Sequence, residues 1–178
     1  DNTSIDSKPP LLTEGIRATA SGAQITADCE TALSEAKAAF VALEAQTGKA
    51  TVERVFGQYE VMTDALTGIG DVWHLRSVHP NADVREAANT CSERQSDFLS
   101  QIGLSRPYFD RIAAIDTTEL SAVERHMVEE ALEGFRRSGV DRDAATRQKF
   151  RTLQSDITAL GNEFDKNIRE DVRSVQVD

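Results

Sequence analysis

Residues 77–112 read SVHPNADVREAANTCSERQSDFLSQIGLSRPYFDRI. Pro80 interrupts any helix that precedes it, because proline has no amide hydrogen to give to the helix interior. Asn81 follows directly and suits an N-cap, where a short polar side chain accepts a bond from a free amide of the first turn. Val84, Ala88, Cys91, Phe98 and Ile102 then recur at the three- and four-residue steps of one helix face, and Gly103 ends the run. Ser105 with Pro107 opens a second, short helix that carries Tyr108, Ile112 and Ile115. Long capped helices joined by tight breaks predict an antiparallel bundle.

The same pattern continues on both sides. After Thr26, Cys29, Leu33, Ala36, Phe40 and Leu43 form a stripe that stops at Gly48. Thr51 can cap the next helix, whose stripe is Val52, Val55, Phe56, Tyr59, Met62, Leu66 and Ile69; Gly68 and Gly70 weaken it, and Trp73 can resume it. Downstream, Ser121 and Glu124 have the spacing of a capping box. Val123, Met127, Ala131 and Phe135 follow, and the Arg136-Arg137 pair suits the negative end of the helix dipole before Gly139. From Asp141 the longest helix begins, with Phe150, Leu153, Ile157, Leu160, Phe164 and Ile168 in a stripe read as bundle core. On that reading Leu153→Ala costs ~2–5 kcal/mol. The expected fold is therefore all-α: an antiparallel bundle of five or six helices with a long C-terminal helix. Residues 1–25, with Pro9-Pro10, are expected to form an extended lead-in, residues 26–178 the helical domain, and the valines of VRSVQVD at 172–178 an extended segment.

At 178 residues the chain is long enough for one domain with a real core. A hydrophobic share of 39% against 28% charged residues marks it as globular. The formal net charge of −10 comes without a basic stripe, which argues against nucleic acid and anionic membrane surfaces as partners. No apolar run approaches the ~20 residues of a membrane span. The chain opens at Asp1 rather than Met, so a periplasmic location after removal of a signal and a cytoplasmic one both stay open.

Catalytic patterns are missing from this sequence. His74 and His79 are five apart beside Pro80, so no helix face presents both, and H-E-x-x-H does not occur. His126 has Glu129 and Glu130 at helical spacing, but no further ligand joins them, and a solvated histidine is the plainer reading. There is no G-x-S-x-G, and the TGIGD stretch at 67–71 follows no strand, so its glycines read as a helix break rather than a phosphate loop. Catalytic and metal-ligating residues are thus expected to be none, and substrate-binding residues are unassigned. Cys29 and Cys91 fit no metal spacing; both fall on apolar faces, which reads as two buried thiols, and a disulfide requires an oxidising compartment and helices that bring them together.

With these residues in view, 77–112 resembles the N-terminal region of the thimet oligopeptidase and neurolysin family of zinc metallopeptidases, which includes bacterial oligopeptidase A and the dipeptidyl carboxypeptidases. The features that carry the resemblance are His79-Pro80, the helix start Asp83-Val84-Arg85-Glu86-Ala87, the pair Asp97-Phe98, and Tyr108-Phe109-Asp110-Arg111-Ile112. Arg125, Arg136-Arg137 and Gly139-Val140 resemble the family's next helix and turn, and Leu160, Phe164 and Asn167 its following helix. His126 departs from that pattern. The resemblance implies a two-lobed helical enzyme around a deep channel, with zinc and H-E-x-x-H in the other half. This segment would then be one channel wall, without catalytic residues or cofactor of its own, and its partners would be the C-terminal catalytic domain and short peptide substrates. A free-standing helical interaction module is the alternative.

Overall fold

Among the described residues, every helix but the short one after Asp71 starts where a short side chain takes up the first free amides. Ser21, Thr51, Asn81, Ser105, Ser121 and Asp143 each accept a bond from a backbone N–H two or three residues ahead. Ser121 and Glu124 complete the reciprocal capping box. The computed structural model describes residues 19–171, so the extended segment expected over 172–178 and residues 1–18 of the expected lead-in lie outside the described residues. Seven helices follow: α1 (Gly22–Glu44), α2 (Val52–Thr67), α3 (Val72–Val78), α4 (Ala82–Gly103), α5 (Arg106–Ala113), α6 (Ala122–Arg137) and α7 (Ala144–Glu170). The all-α bundle is as expected, and α7 is the longest helix at 27 residues. The helix beyond the expected five or six is α3, which Gly68 and Gly70 separate from α2 instead of merely weakening it. Gly48 and Gly139 take positive φ of 79° and 86°, a backbone region that side-chain-bearing residues avoid, and they turn the chain after α1 and α6.

Helices α1, α2 and α4 supply most of the core. The stripe Cys29, Leu33, Ala36, Phe40 and Leu43 of α1 is buried, as are Val84, Ala88, Cys91, Phe98 and Ile102 of α4. From α2 and the turn after it, Val55, Met62, Leu66 and Ile69 close the third side. At one end lies an aromatic group: Phe40 meets Phe98 edge-on at 6.0 Å and Tyr108 at 6.4 Å, and Tyr59 stacks on Tyr108 at 5.9 Å. Burial pushes the Tyr108 hydroxyl well above the usual tyrosine range. The cap residue Ser105 also donates its hydroxyl to Glu44 at 2.5 Å, tying the start of α5 to the end of α1.

Cys29 and Cys91 are joined in a disulfide, which replaces the expectation of two buried thiols. Helices α1 and α4 pack side by side and bring the two Cα atoms to 5.8 Å, within bonding reach. The bond closes a loop across a sequence separation of 62 and spans the middle of the core. Reduction should therefore lower the unfolding free energy by about 2–4 kcal/mol, read as a lower urea midpoint in a thiol reductant.

The caps carry a pH dependence. Hydrogen bonds from the Thr146 hydroxyl and then its amide hold the Asp143 carboxyl below its ordinary 3.8, and those from Ser121 hold Glu124 below 4.5. A depressed carboxyl lends its stability above the ordinary value and loses it as pH falls through the lowered one. Helicity should thus decline on the acid side of pH 4.5, and Glu124→Gln should flatten its share of that decline in a circular-dichroism titration.

Candidate interaction surface

Helix α7 is attached to the bundle mainly through α4. The line it turns toward the bundle is polar: Arg147, Arg151, Gln154, Thr158 and Lys166 are half-buried and Asn162 is buried. Arg76 of α3 donates to the Asn162 carbonyl oxygen at 2.6 Å, and the Asn162 amide nitrogen donates to Glu93 of α4 at 3.0 Å. Asn89 also donates to Glu93 at 3.0 Å. Arg76, itself 6% exposed, lies 4.1 Å from the Trp73 ring and pairs with Asp165 at 3.7 Å. Lys166 reaches Glu86 at 3.4 Å. A buried amide with both ends bonded fixes one orientation of the helix on its neighbour.

The apolar stripe of α7 does not form core, contrary to expectation. Phe150 is 43% exposed, Leu153 50%, Ile157 63%, Leu160 65%, Phe164 65% and Ile168 60%. The reason is rotational. Each apolar residue from Phe150 to Ile157 sits one position before a member of the polar line, and one residue is about 100° around a helix. With the polar line against α4, the apolar stripe points sideways into open space. The expected stripe of α6 is likewise partly open: Val123 is 80% exposed and Met127 38%, while Val128 is the buried residue there.

Between these helices runs a groove. Leu99, Gly103 and Ser138 line both a 410 Å³ hollow bounded by Tyr59, Tyr108, Ala131 and Phe135 and a 280 Å³ hollow bounded by Phe150 and Gln154. The two are therefore one surface, walled by α6 on one side and the start of α7 on the other, with Leu99 of α4, 45% exposed, on its floor. Sequence periodicity marked these stripes as apolar; it could not tell which of two adjacent lines on α7 faces inward, because that is settled by Asn162 and its partners on α3 and α4.

The histidines are not brought together. His74 and His126 are exposed, and His79 is buried with its Nδ1 accepting from the Asn81 amide at 3.1 Å. Among the described residues no three His, Cys, Asp or Glu side chains are placed to hold a metal ion. Among the same residues no helix is long and apolar enough to cross a membrane.

Comparison with known proteins supplies the class. Residues 29–147 match the family model of the neurolysin/thimet oligopeptidase N-terminal domain. The chain belongs to that family, as its N-terminal domain. It is 28% identical over 131 residues to the mitochondrial intermediate peptidase of Coprinopsis scobicola, covering 70% of this chain and 17% of that protein. It is 30% identical over 112 residues to the mitochondrial intermediate peptidase of Candida glabrata, covering 60% and 15%. With the organellar oligopeptidase A, chloroplastic/mitochondrial, of Arabidopsis thaliana it shares 25% over 114 residues, covering 61% and 14%. The chain thus spans less than a fifth of the length of these relatives.

Two substitutions separate the exposed stripe of α7 from the buried core of α2. Leu153→Ala should cost under about 1 kcal/mol in this chain, whereas Met62→Ala should cost about 2–5 kcal/mol, both from urea denaturation. Asn162→Leu should accelerate amide exchange along α7 while leaving that of α1 unchanged, since it removes the bonds to Arg76 and Glu93 without touching the core.

Proposed function

We propose that this chain is the non-catalytic N-terminal segment of a zinc-dependent oligopeptidase and forms part of the wall of the channel that admits its peptide substrates. The observation that carries the reading is the family match over residues 29–147, within relatives that extend far beyond the matched portion. Rigidity supports it. A wall that admits short unfolded peptides and rejects folded proteins has to hold its width, and capped helices with a disulfide through the core supply that without reactive side chains. The catalytic zinc, its H-E-x-x-H ligands and the general base belong, on this reading, to the C-terminal portion of the same polypeptide. The metal would there activate the water that attacks the peptide bond. This segment contributes shape and exclusion.

The Cys29–Cys91 disulfide favours an oxidising compartment, and so the periplasmic alternative over the cytoplasmic one. The relatives are named for mitochondria and chloroplasts.

The exposed stripe of α7 gives some support to a free-standing interaction module as a second reading. Activity separates the two. The longer protein should hydrolyse a quenched fluorescent peptide in a chelator-sensitive way and spare folded proteins, while this chain alone should neither retain zinc through dialysis nor cleave the peptide. Stoichiometric zinc with turnover from this chain alone would overturn the wall reading and make His126 a ligand to test. A parent reading frame without a downstream H-E-x-x-H would favour the interaction module.

A further inference from the structure

We propose that the apolar stripe of α7, with the groove beside it, is the seat of an amphipathic helix from the catalytic portion of the same polypeptide. This rests on the reading of the chain as an N-terminal peptidase domain. Phe150, Leu153, Ile157, Leu160 and Phe164 repeat at three, four, three and four residues, the seam spacing by which two helices interlock side chains at a shallow angle. That pattern fits a helix laid along α7 better than a loop or a sheet edge. It stays 43–65% exposed because α7 spends its inward line on polar bonds to α3 and α4.

Two observations select the occupant. The match to the family's N-terminal domain stops at residue 147, so residues 148–170, which carry the whole seam, lie beyond it. The helix starts inside the matched region and carries its apolar face beyond it. The relatives, moreover, have more than four-fifths of their length outside the region this chain matches, which is ample for a helix supplied in cis. Leu99 and Phe150 continue the seam into the groove against α6, so the incoming helix would be held on two sides.

Leu153→Ser, Ile157→Ser and Leu160→Ser, introduced together, test the seat. In the longer protein the triple variant should speed amide exchange along α7 on the order of 100-fold or more, because the covering helix is loosened. The variant chain alone should keep its helical spectrum, because the three residues are at least half exposed. A second measurement does not depend on that variant. Both cysteines of this chain are tied up in the disulfide, so Ile157→Cys adds its one free thiol, and labelling is read at that position by peptide mass spectrometry. It should react rapidly with a maleimide in this chain and slowly in the longer protein. Equal exchange along α7 in the longer protein with and without the triple substitution, or equal labelling of Ile157→Cys in both contexts, overturns the proposal, as does a dimer of this chain that the triple variant abolishes. Those failures leave the peptidase reading standing if the longer protein still hydrolyses peptides; a reading frame with no H-E-x-x-H downstream removes the peptidase reading itself.

Discussion

The covalent link between Cys29 and Cys91 joins the two helices on which the other elements are laid. Helix α1 takes α2 on one flank, and α4 takes α3 and α7. Because the bond sits between buried stripes, it holds the middle of the core at a fixed spacing while van der Waals packing fills the rest. The segment it encloses contains α2 and α3, so both ends of that pair are tied through α1 and α4 to one covalent link. The aromatic group of Phe40, Phe98, Tyr59 and Tyr108 then secures the end of the bundle where α5 and α6 attach.

Helix α4 also shows how one element serves two different neighbours. Val84, Ala88, Cys91 and Phe98 face α1 and the core. Asn89 and Glu93, on another side of the same helix, face the Asn162 amide and the Arg76 guanidinium. The first interface is stabilised by removal of apolar area from water, the second by satisfied and partly charged hydrogen bonds. The bundle is therefore dry on one side of α4 and polar on the other.

Much of this was legible in the sequence. Thr51, Asn81, Ser105 and the Ser121–Glu124 box marked helix starts correctly, since capping is a local interaction. The stripes of α1, α4 and α5 are buried as their spacing implied. Three features were not legible, each for a non-local reason. The pairing of Cys29 with Cys91 depends on two helices meeting side by side. The separation of α3 from α2 depends on the buried Ile69 between two glycines. The exposure of the α7 stripe depends on Arg76, 86 positions from Asn162 in the chain. Periodicity identifies an apolar face but not what covers it, so the α7 stripe reads as core in the sequence and is exposed in the structure.

The two adjacent lines on α7 define a choice between states. A roll of about 100° about its own axis would exchange the polar line for the apolar one against α4. Such a rolled bundle would bury Leu153 and Ile157 and release the polar side chains to water, a trade that hydrophobic transfer alone favours. What opposes it is Asn162. Rolling would break its bonds to Arg76 and Glu93 and leave the guanidinium of Arg76, 6% exposed, without that partner inside the protein. The asparagine thus acts as a rotational detent, giving up some burial so that one orientation of the helix is chosen over its neighbour.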